Sequence, residues 1–250
     1  MRFENQTAVV TGGNSGIGRA AAQAFRKEGA KVSILGRDQK TMADTVSSLG
    51  VSGQCCDITE RTSVDAFMED VVRQHGLIDV LFANAGIAAF TPFENHDPVG
   101  FRQIMDVNFH GTVNTIAAAL PHLSDGASVI LTTSIANQMG EPHSAAYAAS
   151  KAAVKSLVST LSTEFAPRGI RFNAVSPGPT ATPIFAKMGL VDEAFEQTRE
   201  FIAAATPANR MGEEADQVEA VMYLASRASN FIVGQELVID GGLTGCATLG

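Results

Sequence analysis

The chain has 250 residues, 45% of them hydrophobic and 18% charged, with a formal net charge of −8 and a pI near 5.1. That length suits one large domain, and that apolar content supports a packed core and argues against disorder. The acidic balance argues against nucleic acid or an anionic membrane as partner. No apolar run approaches the roughly 18 residues that span a bilayer, and the polar opening Met1–Gln6 reads without a signal peptide, so a soluble cytoplasmic protein is expected.

Short β-rich runs alternate with helical spacings, the pattern of parallel βαβ units. Thr7–Thr11 is the first predicted strand. The run Thr11-Gly12-Gly13-Asn14-Ser15-Gly16-Ile17-Gly18 follows it and opens the helix Ile17–Glu28. Glycine is needed where the backbone turns sharply and a pyrophosphate approaches closely, and a helix N-terminus offers free N–H groups to phosphate. Nucleotide binding is therefore read here in preference to an unliganded turn, although G-x-x-x-G-x-G differs from the standard G-x-G-x-x-G. The strand Lys31–Leu35, the weaker helix Gln39–Leu49 and the strand Ser52–Cys56 follow. Cys55 and Cys56 are expected as small buried residues, since with Cys246 they make neither a disulfide framework nor a ligand pattern.

Next come the helix Thr62–His75, the strand Asp79–Ala83, the helix Pro98–Leu120, the strand Ser128–Thr133, the helix Ala145–Phe165 and the strand Arg171–Val175. The helix Ala215–Ala225 and the strand Glu236–Ile239 close the series. Runs such as Val80-Leu81-Phe82-Ala83 and Val129-Ile130-Leu131 suit a sheet covered on both faces. The expected fold is one doubly wound α/β domain over residues 1–250. The stretch Pro179–Met211 interrupts the alternation above the carboxyl ends of the strands, where a substrate lid near 183–210 would sit.

Chemistry concentrates in Ser134 and Tyr147-Ala-Ala-Ser-Lys151. Four residues apart on a helix, Tyr147 and Lys151 share a face. A free tyrosine titrates near pH ~10, and a fixed ammonium beside it should favour the phenolate and lower that value. Ser134 ends an apolar strand, so its hydroxyl lies at the carboxyl edge of the sheet, able to donate to a ketone oxygen. Asn108 falls inside a helical pattern, where an amide is normally exposed or forms a kink. Glu141 and His143, in the loop after Ser134, read as a solvated pair. No two histidines have ligand spacing, and the tail 245–250 offers no carboxylate, so no metal site is expected.

Thr11–Gly18, Asp57, Asn84-Ala85-Gly86, Asn108, Ser134, Tyr147-x-x-x-Lys151 and Pro177-Gly178, in that order, resemble the short-chain dehydrogenase/reductase family along nearly the whole chain. Val80-Leu81-Phe82-Ala83-Asn84 and Phe201–Pro207 look most like its bacterial ketone reductases. The resemblance implies a Rossmann-type, seven-stranded parallel sheet with helices on both faces, a nicotinamide cofactor and a homotetramer. It places Gly12, Asn14, Ser15, Gly16, Ile17 and Gly18 at the cofactor phosphates, Asp57 and Ile58 at the adenine, and Asn84, Ala85 and Gly86 beside the ribose. Pro177, Gly178, Thr180 and Thr182 would meet the nicotinamide carboxamide, with Thr182 the best match. The Asn108 carbonyl would hold a water against Lys151.

Where NAD-preferring relatives carry a carboxylate after the second strand, this chain has Gly36, which leaves room, and then Arg37, whose guanidinium suits a 2′-phosphate. NADP(H) is expected over NAD(H), with Asp38 a competing partner for Arg37. The expected reaction is hydride transfer to a ketone, with Tyr147 as general acid, Ser134 orienting the carbonyl and Lys151 holding the ribose and keeping the tyrosine pKa low. Ile184, Phe185, Met188, Leu190 and Phe195 on the lid, facing Ala88, Ala89, Phe90 and Met139, favour a hydrophobic ketone or secondary alcohol. The alternatives are 3-oxoacyl-thioester reduction on an acyl carrier protein, aided by an Arg168/Arg171 patch, and a non-catalytic NADP-sensing protein.

Overall fold

The computed structural model describes residues 1–187 and 191–246. Met188 and Leu190, and the tail from 247, lie outside the described residues. Seven parallel strands form one sheet: β1 Thr7–Thr11, β2 Lys31–Gly36, β3 Ser52–Cys55, β4 Ile78–Ala83, β5 Leu123–Thr132, β6 Arg171–Pro177 and β7 Glu236–Ile239. Their order is β3-β2-β1-β4-β5-β6-β7. The chain winds outward from β1 to β3, returns across β1 to β4 (Ala8 opposite Val80), and winds outward again to β7. The reversal between β1 and β4 opens a crevice at the carboxyl ends of the strands.

Alternation within the central strands explains the two covered faces. Val9, Leu81, Val129 and Leu131 point to one side, where they pack with Val64, Phe67 and Met68 of α3 (Arg61–His75), Ile116 of α5 (Gly111–Ala119) and Val154 and Val158 of α6 (Ala145–Phe165). Val10, Phe82 and Ile130 point to the other side. There they meet Ala21, Ala22 and Phe25 of α1 (Gly16–Lys27) and Val218 and Val221 of α9 (Glu214–Ala225). Each of the buried Val, Leu, Ile, Phe and Met side chains among these contributes about 1.5–3 kcal/mol relative to exposure. No described helix is long and apolar enough to cross a membrane.

Three local features differ from the sequence expectation. The helix Pro98–Leu120 is α4 (Pro98–Met105) and α5, joined by a π-helical segment, Asp106–His110. The interrupting stretch contains a short α7 (Ile184–Lys187) and a two-sided exposed helix α8 (Asp192–Ala205), none of whose residues is buried. Cys56 is buried but Cys55 is exposed, because β3 is an edge strand whose residues from Gly53 to Cys55 all face solvent. The remaining helix α2 (Gln39–Leu49) is capped at its start by the Asp38 carboxylate, which accepts from the Thr41 N–H at 2.8 Å.

Candidate active site

The glycine run forms the turn between β1 and α1. Gly12 and Gly16 hold φ of +64° and +56°, the left-handed region that a side chain resists. A Cβ on Gly18 would sit 2.3 Å from the Gly12 carbonyl oxygen, so that position admits only glycine. Ser15 is extended at the N-cap of α1, makes no side-chain cap, and is followed by a first turn without acidic residues. Ile17 packs against the core beneath. Free N–H groups, a positive dipole end and close backbone approach are what a pyrophosphate requires, so these residues fit a dinucleotide.

At the end of β2 the space beside Gly36 is occupied. A Cβ there would lie 2.1 Å from Asn14 Oδ1, and the Asn14 amide donates to Thr41 Oγ1 at 2.7 Å. The expectation that Gly36 leaves an open space is thus corrected: glycine is present because Asn14 fills that volume. Arg37 reaches Asp57, Nη1 to Oδ2 at 3.7 Å, with both side chains substantially exposed. Burial raises the Asp57 carboxyl, but hydrogen bonds from the Thr59 N–H and hydroxyl, with Arg37 beside it, hold it below its ordinary value. Ile58 is buried beneath, against Gly111 of α5.

Asn84 ties the strand ends together. Its amide donates to the Thr11 carbonyl at 3.3 Å and its Oδ1 accepts from the Thr132 hydroxyl at 3.2 Å. The Asn84 and Ala85 N–H groups both donate to Thr11 Oγ1. Gly86 then runs close to the deeper groups: a Cβ there would lie 3.1 Å from Asn108 Oδ1 and 3.5 Å from Lys151 Nζ.

Asn108 is fully buried in the π segment: of the two expectations for an amide there, it is not exposed but sits where the α-helix is interrupted. Its Oδ1 accepts from the Ile87 N–H at 2.8 Å; its Nδ2 donates to the Ile87 carbonyl at 2.9 Å and Ser150 Oγ at 3.0 Å. Its backbone carbonyl accepts from the Thr112 hydroxyl at 2.7 Å. Each carbonyl oxygen keeps a second lone pair. An extra residue per turn aims this side chain inward, and its hydrogen bonds hold α6 against the Ile87 segment.

Ser134 is 8% exposed and caps the 3₁₀ turn Ile135–Asn137, its Oγ accepting from the Ala136 N–H at 3.2 Å. On α6, Tyr147 is half-buried beside Phe90, with ring centroids 6.2 Å apart, and the Lys151 ammonium lies 5.7 Å from its ring centre. Lys151 Nζ donates to the Thr132 carbonyl at 2.8 Å and is 4% exposed; burial lowers its pKa to about 8. The tyrosine departs from the sequence expectation. Burial raises its phenol, the Ser134 hydroxyl pulls it partly back down, and Glu141 pushes it up. The desolvated Lys151 is turned toward a carbonyl and does not bring the phenol below its ordinary value. Glu141 is exposed, as expected of a loop residue, yet partial burial raises its carboxyl, and its charge bears on the phenol. His143 holds φ +68° and accepts from the Thr91 N–H through its carbonyl at 2.8 Å.

After β6, the Pro177-Gly178 backbone is tied to β7, Gly178 N–H donating to the Ile239 carbonyl at 2.9 Å. The Thr180 hydroxyl is buried and internally used, donating to the Gly178 carbonyl and accepting from Gln217 Nε2 at 3.1 Å. Thr182 instead lies over the start of α1, its Cβ 3.7 Å from where a Gly16 Cβ would be. Of the pair expected at the carboxamide, only Thr182 has its side chain beside the glycine turn. Phe185 and Phe195 pack edge to face at 5.7 Å. Residues to which the sequence analysis gave no individual role also support the site: Ser150, Thr11, Thr132 and Gln217.

The glycine-rich turn, buried lysine, tyrosine and serine thus converge at the carboxyl edge of a doubly wound sheet. The chain belongs to the short-chain dehydrogenase/reductase family of nicotinamide-dependent oxidoreductases. A family model described as enoyl-(acyl carrier protein) reductase matches residues 12–244. An oxidoreductase of Sarocladium schorii is 36% identical over 97% of each chain. A 3α-hydroxysteroid dehydrogenase of Mediterraneibacter gnavus is 34% identical, covering 96% of this chain and 98% of its own. The crystal structure of levodione reductase superposes with a TM-score of 0.90 at 28% identity, covering 96% of this chain and 98% of that one.

Proposed function

We propose that this protein is an NADPH-dependent carbonyl reductase, or secondary alcohol dehydrogenase in reverse, acting on hydrophobic ketones from a single catalytic domain over residues 1–250. The convergence of Ser134, Tyr147 and Lys151 beside the glycine turn carries this reading. Gly12, Asn14, Ser15, Gly16, Ile17 and Gly18 would hold the cofactor pyrophosphate, Asp57 and Ile58 the adenine, Asn84, Ala85 and Gly86 the adenosine ribose, and Pro177, Gly178, Thr180 and Thr182 the nicotinamide end. When bound, the cofactor supplies a hydride to the carbonyl carbon. Ser134 donates a hydrogen bond to the carbonyl oxygen and stabilises the charge developing there. Tyr147 hands its proton to that oxygen, and a phenol raised by burial arrives at this step protonated. Lys151 holds the nicotinamide ribose. Asn108 anchors the bend that brings α4, α6 and the Ile87 segment together, its carbonyl able to hold a water against Lys151.

The lid residues Ile184, Phe185 and Phe195 and the opposite wall, Ala88, Ala89, Phe90 and Met139, support an apolar substrate. Reduction of a 3-oxoacyl thioester, the activity named for a 33% identical 3-oxoacyl-[acyl-carrier-protein] reductase of Thermotoga maritima, uses the same groups. Docking of an acidic carrier protein on an Arg168/Arg171 patch is disfavoured, because both guanidiniums are spent. Arg168 bonds Asp125 and the carbonyls of Leu120 and Leu123. Arg171 is buried and bonds the carbonyls of Leu224, Ser226, Ser229 and Ile232. A cytoplasmic homotetramer completes the proposal, and a sensor without chemistry would have no use for the catalytic set.

Initial rates of NADPH and NADH oxidation with an aryl ketone, a bulky diketone, an aliphatic ketone and an acetoacetyl thioester test this reading. Fast NADPH-linked turnover of the hydrophobic ketones is expected; turnover of the thioester alone would move the protein to acyl-chain synthesis. Tight NADPH binding without turnover of any substrate would favour the sensor. In the same assay, Arg37→Ala should raise the KM for NADPH by about 10-fold or more, the size expected for a lost charged contact to phosphate, and leave that for NADH nearly unchanged. Equal effects on both would remove Arg37 from the 2′-phosphate.

A further inference from the structure

Glu236, the first residue of β7, carries a carboxylate that lies behind Ser134, is 8% exposed, and takes no part in the chemistry described above. Its Oε1 accepts from Thr133 Oγ1 and from Asn137 Nδ2, each at 2.6 Å. Its Oε2 pairs with Lys155 Nζ at 2.5 Å. Thr133 directly precedes Ser134, and Asn137 closes the 3₁₀ turn that Ser134 caps. One carboxylate oxygen thus grips both sides of the serine. Lys155 follows Lys151 by four residues and Tyr147 by eight, so all three lie along one face of α6.

We propose that Glu236, through Thr133, Asn137 and Lys155, is a positioning residue that sets the distance between the Ser134 hydroxyl and the Tyr147 phenol. The proposal rests on the reductase reading for its kinetic consequence. The wiring has no equally good replacement. Asn137 Oδ1 is buried without a hydrogen-bond partner, so Glu236 is the one side-chain anchor found for that amide among the described residues. The Thr133 hydroxyl has a second acceptor, the Val175 carbonyl at 3.0 Å, but this would tie it to β6 alone and not to α6. An ion pair between a buried carboxylate and a partly exposed ammonium adds little net stability, because solvent screening and desolvation offset its attraction. It does fix register: Glu236 joins β7, the end of β5 and α6 at one point, 103 residues from Thr133 in sequence. Serine and tyrosine stand on different elements, and these cross-ties, with the Lys151 hydrogen bond to the Thr132 carbonyl, hold their separation.

The chain contains two tyrosines, Tyr147 and Tyr223, and no tryptophan. In a Tyr223→Phe background the ultraviolet titration of phenolate therefore reports Tyr147 alone, and it needs no substrate. The groups that face this phenol are Ser134, Lys151 and Glu141. In that background Glu236→Leu should lower kcat by about 10- to 100-fold, the range for a misplacement near 1 Å. The KM for NADPH should stay within about 3-fold, as for an interaction absent from cofactor binding. The Tyr147 titration should move to higher pH as the serine hydroxyl withdraws. Glu236→Gln keeps an acceptor for Thr133 and Asn137 and should restore most of the kcat; Lys155→Met should give a smaller loss than Glu236→Leu. If Glu236→Leu does not fold, the Gln and Lys155 variants carry the test. A thermal midpoint that falls while kcat and the phenol titration stay unchanged overturns the proposal, as does an equal loss in kcat and NADPH binding. If the unsubstituted enzyme reduces nothing, the reductase reading fails on its own, and the titration still decides the positioning role.

Discussion

Two ionisable side chains one helical turn apart are displaced in opposite directions by the same cause. Burial favours the uncharged form of each, so it raises the Tyr147 phenol and lowers the Lys151 ammonium to about 8. For ketone reduction this order has a definite sign. Below pH 8 the lysine is cationic and the tyrosine holds its proton, and both roles are filled. As pH rises through about 8 the lysine loses its charge while the tyrosine remains protonated. The kcat/KM for ketone reduction should therefore be level near neutrality and fall above pH 8; a profile level to pH 10 would show that the Lys151 charge is not needed. Tyr147→Phe should abolish most turnover at every pH and leave NADPH binding within a few-fold. At this scale the sequence makes the identity of the groups plain and their environment much less so. Tyr147, Lys151 and Ser134 are legible from spacing and strand position. The volume taken by Asn14 beside Gly36, the spent hydroxyl of Thr180 and the direction of the phenol depend on packing across elements.

The secondary-structure elements are legible where their pattern is strong. β4 and β5 announce themselves as continuous apolar runs because both their faces are covered. The π segment Asp106–His110 leaves no such trace, since one added residue shifts the phase of an otherwise helical pattern without breaking it. Its consequence is large: leaving the buried Asn108 amide unpaired would cost about 1–3 kcal/mol per group, so its partners hold the distortion in place. The start of α9 offers a test of capping. Asp216 accepts from the Glu213 N–H at 2.8 Å and pairs twice with Arg210 at 2.7 Å. The Arg210 hydrogen bonds, followed by that N–H, lower its carboxyl to about 2. A depressed carboxyl contributes stability that is complete above its unfolded value near 4 and is lost as pH falls toward 2. Asp216→Ala should destabilise the protein by about 1 kcal/mol at pH 7. At pH 2 the variant and the parent should differ little, a comparison that denaturant melts at the two pH values make directly.

In the whole molecule, the sheet ends in β7, whose outer side and surroundings are apolar and open. Phe231 is fully exposed, and Tyr223, Val233 and Leu237 are each about 40% exposed. An uncovered edge strand beside such a patch favours pairing with another copy. Together with the acidic net charge, which opposes indiscriminate association, this supports a closed assembly of few subunits. Phe231→Glu should shift the sedimentation profile to smaller species; an unchanged profile would place the subunit contact elsewhere. Alternation and the family resemblance indicate a seven-stranded parallel sheet from the sequence, whereas the edge is known only once β7 is seen beyond β6.

The Asn14 side chain that fills the space beside Gly36 has a consequence for how the enzyme changes over generations. Any side chain placed at 36 must turn Asn14 aside, which removes the hydrogen bond that Asn14 donates to Thr41. On the cofactor reading proposed above, a change of preference is therefore not written at one codon. A carboxylate at 36 is accommodated better after position 14 has become small than before, so the order in which the two substitutions arrive decides whether the intermediate is fit.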